Sequence, residues 1–407
     1  MHLLLIHQNF PGQFRELAPA WLAAGHQVSA IGSVPEAPDG PQWDGLAYWA
    51  YSFSDQADHN PTPLQRGQAV AQLCHWLQGQ QSVPDLVMVH SGWGEALLLR
   101  SALGSIPWVV YPELWGTPQA LGLGVDDALS PLQRGQRPWG LEARLEQQNL
   151  LADLAILQAD AVVVPSESQR LSFPTVLQPR LEVIPEGVNL QRLQPDPAAS
   201  IELEGVGRLR AGDPVVTLVS RALEPLRGLR AALQAWPQVA AQQPDARLLL
   251  VGGTQKGYGE EPPKGETHLA DALERLPPSV DRSRIHVLTP LPYADLVALL
   301  QCSACHLGLS YPYTLSWSLL EAMACGAPLV SNHGSPLAHV VRDRQQALLV
   351  QLNDPALLAA AICDLLQDPQ LGREIGLAGR RLIQEQFSLE QALLAYQALF
   401  ERLIAKR

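Results

Sequence analysis

Arg221 and Arg227 stand six positions apart, the first directly after the apolar run VVTLVS (215–220) and the second just before Gly228. Two guanidinium groups beside a helix N-terminus can clamp a diphosphate, because each makes charge-assisted, bidentate contacts and the helix dipole adds to the field. The same pair could instead be surface arginines bonded to Glu224. Glu321 is a second candidate. It falls in YPYTLSWSLLEAMACG (311–326), which reads as a strand end, a turn and a short helix from Ser318 to Cys325. Ser316 is the expected N-cap, its hydroxyl accepting from backbone N–H groups, and Gly326 with Pro328 is the stop. Leu319, Leu320, Ala322, Met323 and Ala324 make that helix apolar nearly all round. Glu321 is therefore expected to be buried and to need a partner, which a ligand's hydroxyl pair, an internal arginine or a backbone donor could each supply. A third candidate is His90, which closes the strand Leu86 to Val89 and begins HSGWGE (90–95). Side chains at the carboxyl end of a parallel strand face a ligand crevice, so His90 reads as a catalytic contact or as a capping group, with Arg221 and Arg227 as the other catalytic candidates. Gly92 and Gly94 would let a ligand or another stretch of chain approach the backbone closely.

The elements that must position these residues alternate between strand and helix. Met1 to His7 is a strand, Gln8 to Gly12 a tight loop, and Phe14 to Ala24 a helix closed by Gly25. Val28 to Ile31, Leu86 to Val89, Val109 to Tyr111, Ala161 to Pro165 and Leu181 to Pro185 follow as strands, with helices over Ala96 to Leu103 and Glu142 to Ala159. Gln191 to Asp213, rich in Pro, Asp, Glu and Gly, reads as an interdomain connection. The alternation then restarts with Val215 to Ser220, and Arg247 to Val251 ends at Gly252 and Gly253. Further strands are Ile285 to Leu288, Cys305 to Ser310 and Pro328 to Ser331, and three helices close the chain. The expected division is 1–190, a connection at 191–213, a second domain at 214–387, and a C-terminal helix at 388–407 that packs back toward the first. The class is α/β with two doubly wound sheets. A length of 407 residues suits two cores of roughly 200 residues each.

Composition excludes several functions. A net charge of −12 argues against nucleic acid as the main partner and against a broad basic membrane face. Arg134, Arg137, Arg144 and Trp139 could form a small basic and aromatic surface for an acceptor or for weak peripheral membrane contact, or simply a solvated loop. The N-terminal apolar run LLLI is too short for a signal peptide or membrane span, so a cytoplasmic protein is expected. Five cysteines form no paired framework, and the Cys302–Cys305 spacing lacks the second pair that zinc requires. The first loop lacks a G-x-G-x-x-G fingerprint, which argues against a nicotinamide-dependent dehydrogenase.

VSRALEPLRG (219–228), LLLVGG (248–253), VIPEGVN (183–189) and LLEAMACGAPLV (319–330) together resemble the retaining nucleotide-sugar glycosyltransferases of family 4. HQNFPGQFRELAPAWLAAGHQV (7–28) and HSGWGE (90–95) resemble a bacterial branch of that group. The resemblance implies a GT-B fold, in which two Rossmann-like domains face across a cleft. It implies a UDP- or GDP-sugar donor on the second domain, an acceptor of unknown identity (glycan, lipid or small molecule) approaching from the first, and no metal or other cofactor. Arg221 and Arg227 match the family's diphosphate-binding Arg and Lys, and Glu321 matches the Glu that binds the ribose. His90 matches a group near the sugar, and Gly12 would let the first loop approach the donor phosphate or the acceptor. An earlier Glu that holds the sugar hydroxyls is replaced by Tyr313, whose phenol hydrogen-bonds without charge. Ser316, Trp317 and Ser318 then become donor contacts through amides exposed at the helix start. His339 also departs from a common Glu. These two departures keep a donor-binding protein without transfer activity as one alternative, and the fold alone keeps a sugar-nucleotide epimerase as another. A phosphorylase would need a lysine for pyridoxal phosphate, and only Lys256 and Lys264 are offered.

Overall fold

The computed structural model describes residues 1–33, 43–51, 62–80, 82–118, 120, 139–255, 257, 262 and 266–405. The chain divides into two compact units. One comprises Met1–Gly116, Pro138–Gly187 and Leu389–Arg407; the other comprises Thr117–Arg137 and Val188–Ser388.

The first unit carries a seven-stranded sheet of β1 (His2–Ile6), β2 (Gln27–Gly32), β3 (Leu46–Ala50), β4 (Leu86–His90), β5 (Trp108–Tyr111), β6 (Ala161–Val164) and β7 (Leu181–Val183). Its spatial order is β3-β2-β1-β4-β5-β6-β7, and every pairing is parallel. Alternate residues of each strand feed opposite cores. Leu4, Ile6, Val87, Val89 and Val110 face one side, and Leu3, Leu5, Leu86, Met88 and Val109 the other. This two-sided burial is why the strands read as continuous apolar runs. The helices are α1 (Leu17–Ala23), α2 (Pro63–Gly79), α3 (Leu99–Leu103), α4 (Trp139–Gln158) and α5 (Glu167–Ser172).

Two expected helices are shorter than their sequence suggests. The first begins as a 3-10 turn at Gly12–Phe14 before α1, and the helix expected from Ala96 starts only at Leu99, because Leu98 adopts a left-handed φ of 65°. By contrast, α2 carries a legible signal that was not used: Thr62 and Gln65 form a reciprocal capping box, with Pro63 at the first helical position.

The second unit carries β8 (Ser200–Leu203), β9 (Gly207–Arg210), β10 (Val215–Ala222), α6 (Leu229–Gln242), β11 (Arg247–Gly253), α7 (His268–Glu274), β12 (Ile285–Leu288), α8 (Tyr293–Cys302), β13 (Cys305–Gly308), α9 (Trp317–Ala324), β14 (Leu329–Asn332), β15 (Leu348–Val350), α10 (Pro355–Gln367) and α11 (Pro369–Gln386). Its six-stranded sheet has the order β12-β11-β10-β13-β14-β15, again parallel throughout. The stretch 191–213 is not merely a connection. β8 and β9 pair antiparallel in it and bury Ile201, Leu203 and Leu209 against Val215, Leu249 and Leu299. Four-residue strands among Pro, Asp and Gly give too short an alternation to read from sequence. The last helix, α12 (Leu389–Ile404), lies in the first unit, where Tyr396 and Phe400 pack on Trp21 at 5.7 and 5.5 Å between ring centroids.

In each sheet the strand order reverses once, between β1 and β4 and between β10 and β13. Helices leave such a point toward opposite faces, so a crevice opens at the carboxyl ends of the two strands. His90 closes β4, and Arg221 and Arg227 lie near and just beyond the end of β10.

Candidate functional site

In the second unit, α9 begins at Trp317 with Ser316 at the cap position, but the Ser316 hydroxyl makes no bond to the helix backbone. It pairs with the Ser318 hydroxyl at 2.9 Å, and the Ser318 hydroxyl donates to the Val219 carbonyl at 3.0 Å. The expected cap position is therefore right, but the expected cap bond is not formed. The Ser316 side chain thus leaves the first turn uncapped, at the end of the helix that carries partial positive charge. A small crevice lies against this turn, and Ser220, Arg227, Ser310, Thr314, Ser316 and Ser318 contribute to its walls.

Arg227 ends a 3-10 turn at Pro225–Arg227, and Gly228 follows with φ 77° to start α6. A Cβ at Gly228 would collide with the Leu309 side chain, so glycine is required on both counts. The Arg227 guanidinium donates to the Thr314 hydroxyl at 3.2 Å and lies 5.0 Å from the centroid of the Tyr313 ring. Arg221 sits near the end of β10, exposed and not among the residues lining the crevice; its carbonyl accepts from Gln255 at 3.5 Å. Only one of the two arginines is thus held at the crevice.

Glu321 lies one turn into α9 and is 4% exposed. Its carboxylate accepts from the Tyr293 hydroxyl at 3.1 Å, a donor that none of the sequence alternatives named. Arg192 lies over the Tyr293 ring at 5.0 Å. Burial, with the Glu321 charge adding to it, pushes the Cys325 thiol up to about 12. All five cysteines are free and buried, as befits structural thiols. Trp317 is partly buried at the first position of α9, and His339 is exposed at the end of a 3-10 turn. Gly252 is explained by packing: a Cβ there would strike the Ser220 carbonyl and stand 3.3 Å from Leu223. Gly253, beside it, lies against the Gln255 side chain, and its carbonyl accepts from Leu223 at 2.8 Å.

In the first unit, His90 is 2% exposed at the end of β4. Its Nδ1 accepts from the Gly92 N–H at 3.1 Å, so Nε2 carries the proton and donates to Glu113 Oε2 at 3.3 Å. Gln13 donates to the other Glu113 oxygen at 3.2 Å. His7 orients Gln13: its Nδ1 accepts from the Asn9 N–H at 2.9 Å, and its Nε2–H donates to Gln13 Oε1 at 2.5 Å. Burial, then the neighbouring His90, lowers His7 to about 3, so it stays neutral. Gly12 has φ 47°, and a Cβ there would run into the His7 ring; it serves this histidine's packing. Gly92 is close under the His90 ring, whereas Gly94 is approached by the Pro63 backbone at the start of α2, so its neighbour is this chain itself. Glu95 is fully buried, accepting from Tyr51 at 2.6 Å with Arg66 at 3.9 Å.

The sequence reading missed Glu113, Gln13, Ser220 and Thr314. Glu113 stood two residues beyond a strand end, a signal of position that was available; Gln13, Ser220 and Thr314 carry no pattern of their own. Of the proposed basic and aromatic surface, Trp139 is 80% exposed at the start of α4, Arg144 lies on that helix, and Arg134 and Arg137 fall outside the described residues. Lys256 and Lys264 fall outside them too. Among the described residues no helix is long and apolar enough to cross a membrane.

Two parallel-sheet Rossmann-like units, each with its polar residues at the switch point, define the GT-B class of glycosyltransferase fold. A family model described as "Glycosyl transferase family 4 group" matches residues 24–193, and one described as "Glycosyl transferases group 1" matches residues 213–368. The chain belongs to this family of group 1, family 4 glycosyltransferases. A GDP-mannose-dependent alpha-(1-6)-phosphatidylinositol monomannoside mannosyltransferase of Mycolicibacterium smegmatis is 31% identical over 54% of this chain and 57% of its own length. A D-inositol 3-phosphate glycosyltransferase of Salinispora arenicola is 26% identical over 68% of this chain and 62% of its own. The matches thus span less than two thirds of these relatives. Among solved structures, sucrose-phosphate synthase of Thermosynechococcus elongatus superposes with a TM-score of 0.72 at 20% identity, covering 100% of both chains. Anabaena HepE in complex with UDP gives 0.68 at 17% identity, also covering 100% of both. At such identities the likeness is one of fold.

Proposed function

We propose that this protein transfers a hexosyl group from a UDP- or GDP-sugar to an acceptor hydroxyl, with retention of anomeric configuration. The observation that carries the reading is the convergence of the Arg227 guanidinium and the uncapped first turn of α9 on one crevice at the second sheet's switch point. Both groups suit a diphosphate: the cation forms charge-assisted bonds, and the helix start offers N–H groups and a positive dipole end. Arg221 adds a second cation near the end of the same strand, Glu321 accepts from the ribose hydroxyls, and Ser316, Trp317 and Ser318 border the phosphates.

The bond from the anomeric carbon to the diphosphate breaks as the acceptor oxygen bonds that carbon on the same face. The acceptor's proton passes to the departing diphosphate oxygen, whose charge Arg227, Arg221 and the helix amides stabilise. These charges take the role a metal plays elsewhere, so no metal is assigned. The names of the relatives support GDP-mannose as the first donor to try, and D-inositol 3-phosphate or a phosphatidylinositol mannoside as the first acceptors. A glycolipid acceptor would call for weak peripheral contact with a membrane from the cytoplasmic side.

Turnover of labelled UDP- and GDP-sugars by the wild type, Arg221→Ala and Arg227→Ala tests the assignment; equal rates for all three proteins rule it out. Tyr313, standing where an acid would hold the sugar, favours a second reading, donor binding without transfer. Calorimetry would then record tight nucleotide-sugar binding while no acceptor in a broad panel became glycosylated.

A further inference from the structure

We propose that Glu113, not His90, is the group of the first unit that meets a substrate hydroxyl, and that His90 is a positioning residue for its carboxylate. The inference rests on the transfer reading for the identity of the ligand, and on this unit's own geometry for the rest.

His90 has nothing left to offer a ligand. It is 2% exposed, Nδ1 is taken by the Gly92 N–H, and Nε2–H is given to Glu113. Trp93 stacks on the ring at 4.7 Å between centroids, and the His7 ring meets it edge-on at 4.9 Å. Glu113 is the opposite case: its side chain is 29% exposed. A carboxylate has about four lone-pair sites. Among the described residues Gln13 and His90 occupy two of them, which leaves capacity for a further donor such as a hydroxyl.

The surroundings are arranged to hold this one carboxylate. Both histidines carry their proton on Nε2, each because a backbone N–H occupies Nδ1. One donates to Glu113 directly, and the other fixes the Gln13 amide so that its NH₂ end faces Glu113. Glu113 also adopts φ 61°, a left-handed conformation uncommon for a non-glycine residue and one that collects at functional sites. At the ends of the two neighbouring strands, the Ser91 hydroxyl and the Gln8 side-chain carbonyl are buried without a partner among the described residues. The partly exposed Glu113 carboxylate is the acceptor that this strand end presents, and it suits a polyol, whose hydroxyls both donate and accept.

The test uses the full chain and the variants E113Q, H90A and H90Q. The glutamine at position 90 can place a side-chain N–H near where Nε2–H stands. Saturation-transfer NMR with D-inositol 3-phosphate needs no turnover, and kcat/KM for transfer is read where the wild type transfers. E113Q is expected to weaken polyol binding at least tenfold and to lower kcat/KM at least 100-fold. H90A is expected to do nearly the same, and H90Q to recover at least tenfold of what H90A loses. In ¹⁵N-histidine-labelled wild type, His90 is expected as the Nε2–H form, with that hydrogen-bonded signal shifted in E113Q. UDP and GDP affinities, set in the second unit, should stay within twofold in all variants, and wild-type circular dichroism and melting behaviour show that the first unit remains folded. The proposal is overturned if E113Q binds and turns over within threefold of wild type, or if H90Q is no better than H90A. Should the wild type transfer no sugar at all, the transfer reading fails, while the binding and NMR arms still decide the role of Glu113.

Discussion

The Arg227 guanidinium lies 5.0 Å from the centroid of the Tyr313 ring, and the same arginine donates to the hydroxyl of Thr314, the next residue in the chain. The residue that departs from the family's acidic pattern therefore supports, through its ring, the arginine proposed to bind the diphosphate. Such a contact contributes about 1 kcal/mol, or about fivefold in affinity. Tyr313→Phe should retain UDP or GDP binding within twofold, and Tyr313→Ala should weaken it about fivefold, both by calorimetry. A large loss in Tyr313→Phe would show that the phenol hydroxyl, not the ring face, is what matters.

Buried Glu321 on α9 accepts from half-buried Tyr293 on α8. Hydrogen bonds to a charged group contribute roughly 1.5 to 3 kcal/mol. Tyr293→Phe should lower the urea midpoint by an amount near the lower end of that range, and should also weaken nucleoside diphosphate binding through a less well-held Glu321. An unchanged midpoint would mean that the carboxylate finds full compensation elsewhere.

The first unit should show a pH-dependent stability. Burial pushes Glu186 up to about 8, with the Glu113 charge adding to the rise and the Tyr111 hydrogen bond and Arg15 opposing it. A carboxyl raised in the folded state stabilises fully below its unfolded value near 4.5, and that contribution is lost as pH rises toward 8. His7, lowered to about 3, acts in the other sense: its contribution is present above 6.5 and fades as pH falls. Melting temperature measured from pH 5 to 9 should therefore fall on the alkaline side, and more steeply in the wild type than in Glu186→Gln. Parallel curves would refute the assignment.

Trp236 on α6 is 1% exposed, and its indole N–H has no partner among the described residues. Trp236→Ala removes a large buried side chain and should cost about 3–5 kcal/mol by denaturant unfolding. Trp236→Phe should cost less than half of that, because it also removes the unpaired donor.

Much of the fold was legible in the residues. Runs such as LLLI and VVTLV are buried on both faces and so announce parallel strands, and Gly228 and Gly326 mark backbone turns with positive φ. The type of each candidate and its place at a strand or helix end also followed from sequence alone: Arg227 before a helix, Glu321 within an apolar one, His90 closing a strand. Partners were not legible, because they come from distant stretches. Tyr293 is 28 residues from Glu321, Gln13 is 100 from Glu113, and the Val219 carbonyl is 99 from the Ser318 hydroxyl that engages it. Sequence determined which groups could do chemistry and which local element carries each. Only the tertiary structure decided which are already satisfied and which line a crevice: hydrogen-bond capacity is settled by whatever folding brings within about 3 Å, and for Ser316, His90 and Arg221 it assigned places that residue type could not foretell.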